Sequence, residues 1–545
     1  MIPIALCDKS WVRHGDTWFR GYAHYEGRFT SAQSLATQLD ECTSDSEWRS
    51  TVVHLNGCFA AVTGRGNKVL AAVDRIRTIP LFYSRRAGAC LVSDRAGRIL
   101  EGASVREVDP IAAAEFGLTG YVTGGDTLSA DVGQLAAGEM AVFDASGAAP
   151  PIRHPYHQYR HHSFLREDAS SLISKLESVH YDVFRRLAES ADGRTIAIPL
   201  SGGYDSRLIG VCLRDMGVRN VVCYSYGVPG NWESGISREL AKYLGFKWEF
   251  VPYTADRWRK WAKSEAYQEY FRSAGNLCST PHIQDWPAVL ELRKGGRVPP
   301  DSIFVPGHSG DFLAGSHIPK WYVERSLIGC DELLDSLYRA HYSLWDWPPD
   351  QRLQLQSWFK TRIEAVTGPL DDCAPEQAAD LFERWDLQER QAKFICNSVR
   401  VYESLGYDWR LPLFDHELMD FWSRIPIQWR VGRKLYFEFV KRRQRLPITE
   451  ANKDYSAPIA WFLKAVDAAG MKPAAKAVQR LVRRATWRRQ YEGSSLAWYA
   501  TISPDLVRRT YTGKELFYSY LSLQYLDLAR SELRLDRAST RKPAI

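Results

Sequence analysis

A run of small residues with one aspartate, "SGGYDS" at Ser201 to Ser206, directly follows the apolar stretch "TIAIPL". Such a β-branched, apolar stretch is typical of a central strand buried on both faces, and the residues from Ser206 onward predict a helix. The two glycines allow a close backbone approach, and N–H groups at a helix start can converge on a phosphate. Asp205 would repel that phosphate unless a Mg²⁺ ion lies between them. The competing interpretation is a plain strand-to-helix turn that uses glycine and a helix cap.

The elements around this loop predict two kinds of sheet. Up to about residue 155, short β-type runs alternate with turn signals, which indicates packed antiparallel sheets. Beyond it strands and helices alternate, which predicts parallel βαβ units with sites at the carboxyl ends of the strands. From about Cys330 helical, tryptophan-rich segments dominate. We therefore predict three parts: residues 1–160, residues 170–465 and a helical extension over residues 466–545.

The composition of the chain is that of a globular protein with several domains. The 545 residues are 45% hydrophobic and 25% charged, as expected for a globular chain of several domains. A net charge of +7 is mild for this length and is weak support for a nucleic acid partner, so we expect none. The ten cysteines have no C-x-x-C spacing, which argues against a zinc site and a disulfide framework. With no signal peptide pattern and no membrane-spanning segment, we expect a cytoplasmic protein.

The loop at residues 201–206 is not a Walker A loop, because the lysine of that motif is missing. It resembles the S-G-G-x-D-S loop of the ATP pyrophosphatase families, which split ATP at its α-phosphate into AMP and pyrophosphate. The resemblance implies ATP and Mg²⁺ as cofactors. It also assigns nucleotide binding to these residues: Leu200, Ser201, Gly202, Gly203, Asp205 and Ser206.

Two further passages resemble the asparagine synthetase family. "LNGCFAAV" followed by "VDRIRTIPLFYS" is similar to that family's N-G-x-F and D-R-x-G-x-x-P-L-Y elements, and "FVPGHSGDFLAG" is similar to its S-G-E-G-x-D-E-x-F-x-G segment. The resemblance covers roughly residues 15 to 465. It implies an α+β front half, an antiparallel β-sandwich with flanking helices of the Ntn-hydrolase type. A parallel-sheet α/β domain of the ATP pyrophosphatase (HUP-like) type would follow, with a helical C-terminal part.

The resemblance also assigns roles to individual residues. Asp311 falls on the family's second magnesium aspartate, so that Asp205 and Asp311 would hold Mg²⁺ against the triphosphate, although Asp311 could instead cap a helix. Gly307 belongs to the same segment and is assigned to the nucleotide, and Tyr226 occupies an adenine-contacting position. Lys434 and Lys453 fall near the family's two C-terminal lysines, of which Lys453 would stabilise charge on the α-phosphate. Taken alone, either lysine reads as a solvated surface residue.

The chain departs from the family pattern at its front end. Class II glutaminases attack glutamine with an N-terminal cysteine, whereas residue 2 is Ile2 in this sequence. Cys7 could not substitute without processing, and we interpret it as a small buried hydrophobe. We therefore expect no glutaminase activity, as in the β-lactam synthetase branch and in lasso-peptide cyclases.

A second departure is His308, which stands where the family has its catalytic glutamate. That glutamate is proposed to deprotonate the attacking amine, and an imidazole could do the same at neutral pH. His308 could equally order its loop as a neutral, hydrogen-bonded ring. Glu403 and Asp408 are the candidates to orient it.

The resulting hypothesis is an ATP-dependent ligase that adenylates a carboxylate, of a small molecule or a peptide, and couples it to an amine. A cyclase of the lasso-peptide or lactam type leads, because an amine carried by the substrate reacts at high effective concentration. The alternatives are amidation of a sugar acid in polysaccharide or natural-product biosynthesis, and a non-catalytic scaffold. A basic amphipathic run at residues 472–490 is a solvated face or a dock for an acidic or lipid-linked partner.

Overall fold

The structure is a computed structural model that describes residues 4–86, 88, 90–101, 107–444, 487–511 and 515–539. Lys453 and residues 472–486 of the basic run lie outside the described residues.

The front part is built on two antiparallel sheets. Seven strands form the larger one in the order β1-β2-β4-β5-β9-β10, with β3 beside β2, and three form the smaller one in the order β7-β6-β8. The strands are β1 (Val12–His14), β2 (Thr17–Tyr25), β3 (Arg28–Thr30), β4 (Asn56–Arg65), β5 (Lys68–Val73), β6 (Phe82–Ser84), β7 (Val92–Ser93), β8 (Val132–Gln134), β9 (Glu139–Asp144) and β10 (Ile152–Pro155). The helices are α1 (Ala32–Glu41), α2 (Asp45–His54), α3 (Ala96–Leu100) and α4 (Pro110–Thr119).

Strand β4 shows why the larger sheet is buried on both faces. Phe59 and Ala61 belong to the core under α1 and α2, whereas the alternating residues Ala60 and Val62 belong to the main core on the other side. Side chains alternate between the faces of a strand, so a continuously apolar strand needs a layer on each side. The predicted antiparallel front half is confirmed at this level.

The second part is built on a five-stranded sheet in the order β13-β12-β11-β14-β15, in which all neighbours are parallel. Its strands are β11 (Ile196–Pro199), β12 (Val221–Gly227), β13 (Lys247–Pro252), β14 (Ile303–Phe304) and β15 (Asp408–Trp409). The helices that accompany the strands are α5 (Ala169–Ala191), α6 (Tyr204–Asp215), α7 (Trp232–Leu244), α8 (Ala255–Ala262), α9 (Glu265–Gly275) and α10 (Trp286–Lys294). This parallel sheet confirms the predicted change of architecture.

Helices dominate the remainder of the described chain. They are α11 (Gly310–Leu313), α12 (Cys330–His341), α13 (Arg352–Thr367), α14 (Pro375–Asp386), α15 (Arg400–Ser404), α16 (His416–Ser423), α17 (Ile427–Arg430), α18 (Lys434–Gln444), α19 (Trp487–Glu492), α20 (Pro504–Thr510) and α21 (Phe517–Ser539). A π-helix over Leu387–Ile395 continues α14. Short 3-10 turns lie at Lys320–Glu324, Pro349–Gln351, Cys396–Val399, Pro412–Phe414, Val431–Arg433 and Trp498–Thr501. Among the described residues, no helix combines the length and apolarity needed to cross a bilayer.

Backbone hydrogen bonds cross the predicted boundary near residue 160. The N–H of Val122 donates to the carbonyl of Cys278 (2.9 Å), and the N–H of Leu128 donates to the carbonyl of Leu277 (2.8 Å). The ammonium of Lys393, on the π-helix, donates to the carbonyls of Val122 (3.0 Å) and Gly124 (2.6 Å). The front and second parts therefore share buried backbone pairing, while the division into three parts stays a prediction.

A buried histidine on α5 leads to a pH prediction. His180 packs against the rings of Phe184 and Phe439, and burial lowers its pKa to about 4. Between that value and the ordinary 6.5, the unfolded chain binds a proton that the folded chain does not, so acidification favours unfolding. We expect His180→Leu to lose about 3 kcal/mol less stability than the wild type from pH 6.5 to pH 4. Chemical denaturation across this range measures the difference, and parallel pH curves would contradict it.

Candidate active site

Two serines shape the loop between β11 and α6. The Ser201 hydroxyl accepts a hydrogen bond from the N–H of Gly203 (3.1 Å) and lies 3.2 Å from the Ser206 hydroxyl. The Ser206 hydroxyl in turn accepts from the N–H of Ser201 (3.2 Å). Gly203 is the N-cap residue of α6, and it has no side chain that could form a capping hydrogen bond. The positive end of α6 can therefore attract an anion.

The segment after β14 packs directly on this loop. A Cβ atom at Gly307 would stand 2.6 Å from the backbone nitrogen of Ser206, and one at Gly310 would stand 2.9 Å from the Asp205 carboxyl carbon. Any larger residue would push the two loops apart. The N–H of Asp311 donates to Oδ2 of Asp205 at 3.0 Å, so the two predicted magnesium aspartates do lie together.

The surroundings of the two aspartates suit a divalent cation. Oδ1 of Asp205 accepts from the Tyr436 hydroxyl (2.6 Å), and Oδ2 of Asp311 accepts from the Ser316 hydroxyl (2.9 Å). Burial and then the charge of Asp311 raise the pKa of Asp205 to about 7. Two carboxylates that repel each other are stabilised by a cation, and their hard oxygens are the ligands that Mg²⁺ prefers. Within the described part of the chain, no cluster of three or more His, Cys, Asp or Glu side chains could hold a metal. A Mg²⁺ ion would therefore need phosphate oxygens or water as additional ligands.

His308 lies in the same segment as Asp311. Its Nε2 lies 2.6 Å from the Ser398 hydroxyl, which donates its one hydrogen to the carbonyl of Ile395 (2.8 Å) and so accepts from the ring. Burial lowers the pKa of His308 to about 4. At neutral pH the ring is therefore uncharged and a weak proton acceptor.

Glu403 and Asp408 do not orient His308, which corrects that expectation. Asp408 pairs in register with Ile303 at the amino end of the parallel sheet, opposite the site, and its carboxylate binds Arg194 (2.7 Å). The Glu403 carboxylate binds Arg20 (2.9 Å) and Arg400 (2.7 Å). Asp408 begins β15, and the strands of a parallel sheet begin at the end opposite the site.

Tyr226 ends β12, beside the strand that leads to the loop. Its ring stacks on that of Tyr253 with centroids 5.1 Å apart, and its hydroxyl donates to Asp285. Two residues further along the chain, the backbone N–H of Val228 donates to the carbonyl of Ser495 (2.7 Å). Leu200 is buried and donates its N–H to Tyr224 of β12 (2.9 Å). The Tyr226 hydroxyl and one face of its ring are therefore engaged within the protein, and its contact with adenine stays a prediction.

Lys434 begins α18, two residues before the tyrosine that holds Asp205, and its side chain is exposed. Lys434 therefore lies on the same helix as Tyr436, whose hydroxyl donates to Asp205. Lys453 lies outside the described residues, so its role stays a prediction.

Sequence reasoning missed several residues at this site. Tyr436 meets Asp205 across 231 positions of sequence. Asp386, at the end of α14, binds His317 at 2.6 Å and accepts a hydrogen bond from Gln391 (3.0 Å), which in turn accepts from Ser309 (2.7 Å). The available signals were weak: a tyrosine close to Lys434, and a histidine soon after the Asp311 segment. Neither pattern distinguishes a site residue from an ordinary one.

Cys7 is exposed, so the interpretation of this residue as a small buried hydrophobe is wrong. Its backbone N–H donates to Oδ1 of Asp94 (2.7 Å), which anchors the chain and leaves the thiol at the surface. Desolvation and then the charge of Asp94 raise the pKa of the Cys7 thiol. The thiol is therefore protonated at neutral pH and a poor nucleophile.

Three of the solved structures that match this chain overlay on it weakly, each with a TM-score of 0.19. One is with an allosteric regulatory enzyme of purine biosynthesis (12% identity, 44% of this chain and 62% of that chain). The second is with the glutamine phosphoribosylpyrophosphate amidotransferase of B. subtilis, complexed with ADP and GMP (11%, 55% and 63%). The third is with the U34-tRNA thiolase NcsA of Methanococcus maripaludis with its [4Fe-4S] cluster (13%, 42% and 79%). Overlays at this score carry no argument.

No family model matches the chain. A segment of 65 residues is 42% identical to a probable glutamine-hydrolysing asparagine synthetase of Acanthamoeba polyphaga mimivirus. The match spans 12% of this chain and 12% of that relative. Over that segment, the chain is asparagine synthetase-like.

Proposed function

We propose that this protein is a Mg²⁺- and ATP-dependent ligase that forms an amide bond by way of an acyl-adenylate. The observation that supports the proposal most is the contact between Asp205 and the N–H of Asp311 (3.0 Å), made beside the N-terminus of α6. A phosphate-binding helix end and a carboxylate pair at one place are what a metal-bound triphosphate requires. A plain strand-to-helix turn has no need of the second aspartate.

Different residues would bind the phosphates and the Mg²⁺ ion. The N-terminal end of α6 and the loop held by Ser201 and Ser206 would receive the phosphates. Asp205 and Asp311 would hold Mg²⁺, which when bound neutralises phosphate charge and favours attack at the α-phosphate. Tyr436 fixes the orientation of Asp205, and Ser316 fixes that of Asp311. The substrate carboxylate would attack the α-phosphate and release pyrophosphate, and an amine would then displace AMP.

We propose further that glutamine does not supply the amine. The backbone nitrogen of Cys7 supports this, because it is a peptide amide that donates to Asp94 (2.7 Å) and offers no free α-amine to activate the thiol. The amine would then be ammonia, a separate molecule or a group on the substrate itself. An amine on the substrate would make the protein a cyclase, which is the reading we favour over amidation of a sugar acid.

Pyrophosphate release tests the proposal. Purified protein is incubated with ATP, Mg²⁺ and pools of carboxylates and amines, with and without glutamine. We expect release that depends on a carboxylate and is unchanged by glutamine. Glutamine-driven release would overturn the assignment of the front half. If none of the substrate pools produced pyrophosphate, the scaffold alternative would be favoured. A product that forms from one substrate without added amine would identify the cyclase.

A further inference from the structure

A histidine and a buried aspartate form a dyad next to the candidate site. Nδ1 of His317 lies 2.6 Å from Oδ2 of Asp386, and the Asp386 side chain is 0% exposed. The His317 side chain is 26% exposed, and among the described residues nothing is hydrogen-bonded to its Nε2. The hydrogen bond at Nδ1 places the ring proton there and leaves the Nε2 lone pair available. This is how a carboxylate prepares an imidazole to accept a proton.

The dyad is connected to the loop that carries the second aspartate. His317 follows Ser316, whose hydroxyl binds Asp311, and the His317 ring packs against that of Phe312 at 5.6 Å. Oδ1 of Asp386 accepts from Gln391, and Gln391 accepts from the hydroxyl of Ser309. The dyad and Asp311 are thus held by one short network, so their relative positions are fixed together.

Charged groups around His317 favour its protonated form. Burial lowers the pKa of His317, but the charge of Asp386 and the hydrogen bond to it outweigh burial, so that the net shift is upward. Asp311 adds to this shift and Arg390 opposes it. The other histidine at Asp386, His341, lies 3.7 Å away and is buried, and burial lowers its pKa to about 3. His341 therefore stays neutral, while the upward shift of the His317 pKa favours the protonated form of that ring.

His308 has the opposite environment. Its Nε2 is engaged with Ser398, and burial lowers its pKa to about 4. A general base works best when its pKa is near the working pH, which favours the dyad. His308 then fits the second role considered for it, a neutral ring that orders the loop.

We propose that His317, positioned by Asp386, is the general base that deprotonates the attacking amine, a role that rests on the ligase function proposed above. The amine nitrogen forms a bond to the acyl carbon of the adenylate, and its proton moves to Nε2 of His317. The bond between the acyl carbon and the phosphate oxygen breaks, and AMP leaves with the electron pair. The imidazolium is stabilised by Asp386 and returns its proton to water at the exposed edge of the ring.

Separating the two half-reactions tests this role. Carboxylate-dependent exchange between ATP and pyrophosphate reports adenylation, and AMP formation with and without ammonium chloride reports coupling. The carboxylate is the one found in the pyrophosphate screen. We expect His317→Gln to reduce coupling at least about 100-fold more than exchange, since general base catalysis contributes that much or more. In His308→Gln we expect both steps to fall by a similar factor.

The outcomes separate failure of this role from failure of the ligase function. Equal losses of exchange and coupling in His317→Gln would mean that His317 binds substrate, and normal coupling would mean that it has no role. Either result overturns the proposal while exchange in the wild type preserves the ligase. No carboxylate-dependent exchange in the wild type would overturn the ligase and the base together.

A titration by NMR of the histidine side chains needs no substrate. The imidazole signal that is lost in His317→Gln should titrate above the ordinary histidine pKa of about 6.5. In Asp386→Asn the same signal should titrate at lower pH, and the acid limb of the coupling rate should move with it. If the His317 signal titrates below the ordinary pKa, or if its pKa is unchanged in Asp386→Asn, the dyad does not exist in solution and the proposal is wrong.

Discussion

Asp205→Asn is expected to lower carboxylate-dependent pyrophosphate exchange by on the order of 1,000-fold, because a metal that stabilises phosphate charge contributes several kcal/mol to the transition state. The amide keeps the size of the carboxylate and can still accept a hydrogen bond from Tyr436. It removes the charge that would hold Mg²⁺. Exchange measured with Mg²⁺ and ATP, before any amine is added, isolates this effect from coupling.

Stability provides the control for this variant. Without Mg²⁺, Asp205→Asn should melt close to the wild type, because relief of the repulsion that helps to raise the pKa of Asp205 to about 7 offsets the lost hydrogen bond from the Asp311 N–H. Mg²⁺ and ATP together should raise the melting temperature of the wild type but not that of the variant. Asp301→Asn, at an exposed position, serves as the matched change elsewhere. Full exchange activity in Asp205→Asn would remove the basis of the proposed function.

Arg430→Met is expected to cost about 3–5 kcal/mol of unfolding free energy, the range for breaking a buried ion pair. The guanidinium and its partner Glu383 are both 0% exposed and lie 2.7 Å apart. Arg430 also donates to the carbonyl of Leu313 (2.7 Å), the last residue of the short helix that contains Asp311. The variant leaves a buried carboxylate without its main partner. Chemical denaturation measures the loss, and exchange activity should fall with it.

A double variant and a surface variant make this prediction specific. Replacing both Arg430 and Glu383 by Met should restore part of the stability, because no unpaired charge stays buried. Arg185→Met, which breaks exposed pairs with Asp182 and Glu189, should cost less than about 1 kcal/mol. A single variant at Arg430 that costs no more than Arg185→Met would show that the buried pair contributes little.

The sheets were predictable because each type leaves its own pattern in the chain. β11 is apolar throughout and buried on both faces, and β4 lies within a run of short strands with turn signals, so parallel and antiparallel architecture could be told apart. Asp205 and the glycines of its loop were predictable for the same reason. They follow a strand directly, and their spacing has a local physical cause.

Groups that meet across long stretches of chain left no such signal. Tyr436 holds Asp205 from α18, and Asp386 meets His317 across 69 positions of sequence. Glu403 and Asp408 show the reverse error, since Asp408 begins β15 at the amino end of the sheet and Glu403 is bound to Arg20 and Arg400 rather than to His308. Composition and spacing report local geometry, and these side chains depend on how helices cross in three dimensions.

The hydrogen bonds from residues 122–128 to residues 277–278, and from Lys393 to Val122, also set an order of events during synthesis. The loop at residues 122–128 leaves the ribosome early, but its partners at 277–278 follow only after the first three parallel strands. The last partner, Lys393, is synthesised later still. The front sheets can form first, yet this loop stays incomplete through most of translation. The pairing between the two parts can therefore be completed only late in synthesis.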